Sequence, residues 1–561
     1  LPLGIWIYEP SVDIAYKSTM KKLSPTKRLW RLLKLYKPEI RLIYVYALFI
    51  GLVNLSLPLG IQAIINFLQT GAVSSSWLIL VLLVLLGITV TGILQVLQLR
   101  LVENIQQDLF ARSAFEFAFR LPQIESKELD SIHAPELANR FFDTLTIQKG
   151  LPKLLIDFSL STFQILFGML LLAIYSVYFL LIGIVLVLAL LLLVRLTGKQ
   201  GLETSLRESK YKYNLAFWLE EIGRVRRTFF MSQPKSFHLD KSDDITYDYV
   251  TSRETHFKVL MMQFKSFIGF KVFMAAGILV IGGLLVFNQQ MNIGQFVAAE
   301  IVIILIINST EKLLRVWDTV YDVLTGLDKI GFVTDLELSK DTGAETLQAQ
   351  KVDITIRDLE FTHIGHSSST FEGLNAQIPS GAKVVLSGKT GSGKSTLLKV
   401  LSGILPPSSG EILLNGIPMK EISQASVFEN IGMVFAANQI FEGTIRENIL
   451  MGRALPEAQL QETLQRLGLA DYISDQPKGI HSLMDSGGRR TPRCIIQKIH
   501  LARAIVHQPN ILLMEDPLIN IPQAERRSII QYLTAEDKPW TLVVISDEED
   551  WLAESSMTLT L

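Results

Sequence analysis

The sequence predicts a multi-domain membrane protein in which a six-helix all-α transmembrane domain is followed by an α/β domain built around a P-loop. Three observations lead there. Hydrophobic residues make up 49% of the 561 residues and are gathered into long runs before residue 320, and about 20 apolar residues are what a helix needs to cross about 30 Å of hydrocarbon. The stretch Gly388-Lys389-Thr390-Gly391-Ser392-Gly393-Lys394-Ser395 fits G-x-x-x-x-G-K-[ST], between the strand-like Val384-Val385-Leu386 and the helix-like Leu397-Leu398-Lys399-Val400-Leu401. Beyond it, the fully apolar runs 431–434, 511–514 and 541–545 read as strands covered on both faces, as in a parallel sheet.

Charge and cysteine content narrow the classes. The formal net charge is −1 and the basic residues cluster beside apolar runs, which excludes the basic face of a nucleic-acid binder. Cys494 stands alone, so no intrachain disulfide forms. The numbering opens at Leu1, and no charged-then-apolar leader with a small-residue cleavage site follows, so no signal peptide is expected.

Taken in order, residues 1–40 form an N-terminal segment. Ser24-Pro25 is a cap with proline at the first helical position, and Leu29, Leu32, Leu33 and Tyr36 recur at helical spacing with Lys27, Arg28, Arg31 and Lys34 opposite. That is a basic amphipathic helix suited to the inner membrane surface. Six spans are expected near 41–67, 77–99, 154–176, 178–197, 266–287 and 293–314, within a transmembrane domain of 41–332. The connections 68–76, 175–177 and 288–292 carry no Lys or Arg, whereas 1–40, 100–153 and 198–265 are rich in them. The positive-inside bias puts both termini in the cytoplasm. The two long inner connections are too charged to lie in lipid and are expected to extend the spanning helices into the cytosol. Within them, 136–143 and 219–224 mix apolar and charged residues, as either a docking surface or a solvated helical face does. Glu300 falls near the membrane midplane, as a functional carboxylate or as one protonated or hydrogen-bonded to a neighbouring helix; Lys271, the nearest basic residue, lies close to the inner surface. Residues 333–350 read as a polar linker, and 351–561 as the soluble domain, opening on the alternating Ile354-Thr355-Ile356 and Leu359-Glu360-Phe361.

The P-loop residues define the chemistry of that domain. Gly388, Gly391 and Gly393 let the backbone curl so that N–H groups point at phosphate oxygens, and the following helix adds the positive end of its dipole. Lys394 reaches the β and γ phosphates, Ser395 holds Mg²⁺, and Ser392 and Thr396 complete the loop. ATP with Mg²⁺ is the expected ligand pair.

Six spans, two long cytoplasmic extensions, a linker and a P-loop domain in this order resemble a half-transporter of the ATP-binding cassette (ABC) exporters, over nearly the whole chain. Ser56-Leu57-Pro58-Leu59-Gly60-Ile61-Gln62 and Asn292-Ile293-Gly294-Gln295-Phe296 look most like type I secretion exporters. Phe441-Glu442-Gly443-Thr444-Ile445-Arg446-Glu447-Asn448-Ile449 and Leu501-Ala502-Arg503-Ala504 set the register. In that register the resemblance implies a degenerate nucleotide-binding domain. The aromatic that stacks on adenine falls at His363 and the coupling glutamine at Ala436. The signature falls at Thr491-Pro492-Arg493-Cys494-Ile495, with no serine hydroxyl, while Ser486-Gly487-Gly488 lies upstream, out of register, as a turn. The metal-ordering acid falls at Glu515 and the general base at Asp516, about 1.5 Å shorter than glutamate; the γ-phosphate histidine falls at Asp547 and the aspartate that crosses the dimer at Pro522.

The resemblance thus implies an ABC-type exporter subunit in a lipid bilayer, the bacterial inner membrane, that binds ATP and takes part in export with weak or absent hydrolysis. The alternatives are a nucleotide-gated channel or sensor on the same fold, and an active but divergent transport ATPase. The implied partners are a second ABC half-transporter, as a heterodimer in preference to a homodimer, and a periplasmic adaptor (membrane-fusion) protein.

Overall fold

The computed structural model describes residues 23–70, 75–129, 132, 134–231, 236–341, 343–347, 351–363, 368–436 and 439–561. They divide into two compact units, Leu1–Leu338 and Ser339–Leu561.

Among the described residues the first unit has six helical segments long and apolar enough to cross a membrane: Lys37–Gln69, Trp77–Gln123, Pro135–Tyr175, Val177–Arg224, Phe237–Phe287 and Ile293–Thr334. Helices Val177–Arg224 and Phe237–Phe287 have 48 and 51 residues, about 75 Å at 1.5 Å per residue. That is more than twice the hydrocarbon thickness, so the charged connections are extensions of the spans, as expected. The sixth span is half buried inside the unit and the second hardly at all. Around the sixth, Ile165, Leu172, Phe179, Met274, Ile278, Val302 and Ile306 form the membrane core.

The first span departs from a continuous helix over 41–67. It is two helices, Lys37–Val53 and Ser56–Thr70, hinged at Asn54 and Leu55. Pro58 has no N–H to give the preceding turn, and a second helix that starts at Ser56 places it where that N–H is unsatisfied anyway. The sixth span begins on a capping box: the Asn292 side chain accepts from Gln295 N–H at 2.7 Å, and Gln295 Oε1 accepts from Asn292 N–H at 3.0 Å. Gly294 lies so near the first span that a Cβ there would come within 3.0 Å of the Gln62 carbonyl oxygen and collide with the Asn66 side chain. A residue of that size fits here because two backbones meet.

The amphipathic helix is Pro25–Leu35. Leu29, Leu32 and Leu33 pack on Ile43, Val102, Ile105, Ile147, Val323 and Leu327, while Trp30 on the other side is 72% exposed. Arg28 forms an ion pair with Asp335, just past the end of the sixth-span helix. The polar stretch 333–350 divides between the units: that helix runs to Thr334, Leu338 bridges to Ile124, and Glu345 bridges to Ile422.

Among the described residues the second unit holds three sheets. Strands β1 (Ile354–Phe361), β2 (Phe371–Ile378), β4 (Ser409–Leu414) and β5 (Ile417–Pro418) form an antiparallel sheet in the order β2-β1-β4-β5. Strands β3 (Lys383–Ser387), β6 (Ile431–Val434), β9 (Ile511–Glu515), β10 (Thr541–Ile545) and β11 (Met557–Thr560) form a parallel sheet, ordered β11-β3-β10-β9-β6. A two-residue pair, β7 (Gly443–Thr444) and β8 (Leu483–Met484), completes the set. In β9 and β10 every residue from Ile511 to Met514 and from Thr541 to Ile545 is buried, which is why these runs carry no polar alternation.

Two histidines in this unit are held neutral. Burial, with Arg503 for His500 and Arg453 for His507, pushes both imidazoles down to about 4, and neither His507 ring nitrogen has a hydrogen-bond partner. The unfolded chain therefore binds more protons than the folded one from the ordinary value near 6.5 down to about 4, and stability falls as pH drops through that window. Between pH 6.5 and 5 each group costs about 2 kcal/mol. Urea unfolding followed by tryptophan fluorescence is expected to show this loss, and His507→Leu to remove about half of it; an equal loss in the variant would contradict the assignment.

Candidate nucleotide site

The parallel sheet brings the sequence-predicted residues to one edge. From β3 the chain turns through the glycines, with φ of +151° at Gly388, +86° at Gly391 and +93° at Gly393, into helix Lys394–Leu401. Positive φ at these positions points successive N–H groups into the loop's concave side. Lys394 Nζ donates to the carbonyl oxygens of Gly388 at 2.5 Å and Lys389 at 3.1 Å, so the ammonium lies over the loop. Ser392 Oγ is shielded from solvent and has no hydrogen-bond partner, as a hydroxyl reserved for a phosphate oxygen would be.

Across the sheet, Ser395 Oγ donates to Glu515 Oε1 at 2.5 Å. This hydroxyl–carboxylate pair fits Mg²⁺, which takes one or two protein oxygens and fills the remainder with phosphates and water; Ser395 and Glu515 would hold it, and it would neutralise charge on the phosphates. Among the described residues no group of three or more His, Cys, Asp or Glu forms a metal site of its own. His363 sits over the helix after the loop, its Nε2 3.4 Å from Thr396 Oγ1 and its ring edge-on to Phe361 at 4.9 Å. A flat ring at that place can stack on a base.

Ala436 and Asp516 also come to the strand ends beside Glu515, with different chemistry. Ala436 follows β6 and donates its N–H to Glu515 Oε2 at 3.3 Å; its methyl offers nothing further. Asp516 has φ +41°, a left-handed backbone that aspartate tolerates, and donates its N–H to the Ile545 carbonyl at 2.9 Å. Burial, then Glu515 and Asp547, push its carboxyl up, against the pull of Lys394. Helix Arg493–Ile505 opens on Pro492 with no side-chain cap. The glycines of Ser486–Gly488 stand apart as a tight turn, Gly487 N–H donating to the Ile440 carbonyl at 2.8 Å. Glu300 makes no hydrogen bond or ion pair among the described residues, and Lys271 is exposed.

One site residue has no counterpart in the sequence reading. Gln497 Nε2 donates to the Asp516 carbonyl at 2.9 Å, while its Oε1 accepts from Asn520 N and Nδ2, both at 3.0 Å. It ties helix Arg493–Ile505 to the acidic turn. Its place between the 491–495 register and Leu501 was the available signal.

A membrane unit of six spans carrying a P-loop domain with a hydroxyl–carboxylate metal pair defines a nucleotide-linked transporter class. The transmembrane region of ABC transporters matches residues 40–310 and the ABC transporter domain residues 371–519. The chain belongs to the ABC transporters, as a half-transporter with its transmembrane and nucleotide-binding domains fused. It is 29% identical over 203 residues to the glutathione/L-cysteine transport system ATP-binding/permease protein CydC of Escherichia coli, covering 36% of this chain and 35% of that one. It is 26% identical over 285 residues to the transport/processing ATP-binding protein ComA of Streptococcus pneumoniae, covering 48% and 38%. An uncharacterized ABC transporter ATP-binding protein of Haemophilus influenzae is 29% identical over 300 residues, with 52% and 53% covered. The matches thus span about a third to a half of these relatives. The structure of a bacterial Atm1-family ABC exporter with ATP bound superposes with a TM-score of 0.77 at 17% identity, covering 94% of this chain and 93% of that one. That likeness is one of fold.

Proposed function

We propose that the chain is one half of an ABC exporter that binds Mg-ATP and takes part in ATP-dependent export while hydrolysing ATP weakly or not at all. One observation supports this reading: the groups that would meet phosphate and metal are gathered, with Lys394 Nζ over the loop, Ser392 Oγ unpartnered and Ser395 Oγ on Glu515, whereas the positions of the chemistry hold Ala436, Asp516 and Asp547. Loss of general-base help alone slows such a reaction by about 10²–10⁴-fold. Phosphate release by the purified chain should stay near background; turnover of about 1 s⁻¹ or faster, abolished by Asp516→Asn, would refute the reading.

The partner is a second half-transporter of different sequence. Two copies of this chain would both present Pro492, which lacks hydroxyl and N–H, where a phosphate-clamping helix start needs them. Segments 56–62 and 292–296 support a type I secretion-like system with a periplasmic adaptor. The bacterial inner membrane is the proposed location, both termini cytoplasmic. The outer connections include 68–76, of which 71–74 lie outside the described residues, and 288–292, where Gln290 is exposed. In a Cys494→Ser background, Gln290→Cys should react with an impermeant maleimide added from outside intact cells; labelling only after the inner face is opened would reverse the topology.

A further inference from the structure

The carboxylates that leave the parallel strands bear on which nucleotide the site holds. Strands β3, β10 and β9 are adjacent, with Leu386 opposite Ile545 and Ile545 opposite Glu515. The P-loop leaves the first, Asp547 follows the second by two residues, and Asp516 follows the third directly. Neighbouring strands lie about 4.8 Å apart, and the Asp516 N–H to Ile545 carbonyl bond of 2.9 Å holds the last two exits together. Glu515, Asp516 and Asp547 therefore share the strand-end edge with Lys394, the loop's ammonium. Glu515 accepts from Ser395 Oγ and with it would hold the metal. Among the described residues neither Asp516 nor Asp547 is in an ion pair, and Lys394 is the cation whose pull Asp516 feels.

Ser395 and Glu515 would hold the metal and Lys394 would reach the outermost phosphates, so a third phosphate would lie on the strand-end side, beside Asp516 and Asp547. The α and β phosphates sit deeper, under the loop amides and the helix start. A terminal phosphate brings further negative charge to the two carboxylates, and like charges a few ångströms apart repel appreciably even where solvent screens them. A diphosphate keeps the loop contacts and avoids that repulsion.

We infer that this site binds the magnesium complex of a nucleoside diphosphate, ADP, more tightly than that of the triphosphate. The inference rests on reading 388–396 as a phosphate loop, and it assigns the chain a regulatory role in which ADP occupies its site while the partner's site turns over. Titration calorimetry on the purified full chain in detergent, with Mg-ADP and the non-hydrolysable β,γ-imido analogue of Mg-ATP, tests it. ADP should bind about tenfold more tightly, which is about 1.4 kcal/mol. Asp547→Asn and Asp516→Asn should each narrow that ratio, and the remote, exposed Asp475→Asn should leave it unchanged. Triphosphate bound as tightly as ADP or more so by the wild-type chain overturns the inference and leaves the nucleotide site standing, as does an ADP preference that neither carboxylate variant alters. Failure of the wild-type chain to bind either nucleotide overturns both.

Discussion

Lys394→Ala is expected to weaken binding of Mg-ATP and Mg-ADP alike, by about a hundredfold. The ammonium donates to two loop carbonyl oxygens, those of Gly388 and Lys389, which holds it above the concave face where phosphates enter. A bound nucleotide exchanges these neutral acceptors for charged phosphate oxygens. Hydrogen bonds to charged groups contribute about 1.5–3 kcal/mol each, so losing the lysine's share removes about 3 kcal/mol, and every 1.4 kcal/mol is a factor of about ten. Ser395→Ala acts differently. It leaves the ammonium in place and removes the hydroxyl that meets Glu515, so its cost should appear with Mg²⁺ and vanish when EDTA strips the metal. Equilibrium binding of labelled nucleotide to the purified protein reads both. A Lys394→Ala protein that binds within about threefold of wild type would remove the P-loop as the site.

How much of this was legible follows from where each signal lives. The strands of the parallel sheet could be read because both faces of β9 and β10 are covered, which leaves runs such as 511–514 without a polar residue. Lys394 and Ser395 could be read because their chemistry depends on spacing along the chain. The hinge at Asn54 and Leu55 could not: Pro58 stands in an apolar run, and hydropathy does not register a missing N–H. Gln497 had only its place in the register to mark it, since its two partner residues, Asp516 and Asn520, lie on a turn brought to it by folding. The stretch 333–350 reads as linker from its polarity, yet Leu347 is buried and Glu345 bridges to Ile422. Ser339 and Asp341 are also tied down, by the Gln424 side chain and N–H.

The stretch 136–143 was equally open between docking and solvated faces, and the structure turns its charged end inward. Asp143 is 6% exposed. Its carboxylate accepts from the Tyr213 hydroxyl and lies 3.8 Å from Lys212 Nζ. Burial pushes the Asp143 carboxyl up, while Tyr213, Lys212, Lys329 and Arg140 pull it back. Lys329 is pushed down by its own burial and by Arg140, and Arg140 stacks on Phe332 at 3.8 Å while pairing with Glu136 at 2.8 Å. The carboxylate is thus an anion paired with Lys212, on which Lys329 and Arg140 act from two further helices. Only the carboxylate of this pair is buried, since Lys212 is half exposed and Arg140 keeps Glu136, so its removal costs the charged hydrogen bond from Tyr213, about 1.5–3 kcal/mol. Asp143→Ala is therefore expected to destabilise the membrane unit by about that amount. Asp143→Asn should fall between alanine and wild type: its carbonyl still accepts from Tyr213, but Lys212 loses its carboxylate. Phe142, next in sequence and 62% exposed, serves as the contrast, since Phe142→Ala removes no buried partner and should cost less than about 1 kcal/mol. Thermal inactivation in detergent, followed by the loss of the monodisperse peak on gel filtration, ranks the three variants. Asp143→Ala as stable as Phe142→Ala would mean that the cations are satisfied by solvent and that the cluster contributes nothing to the fold.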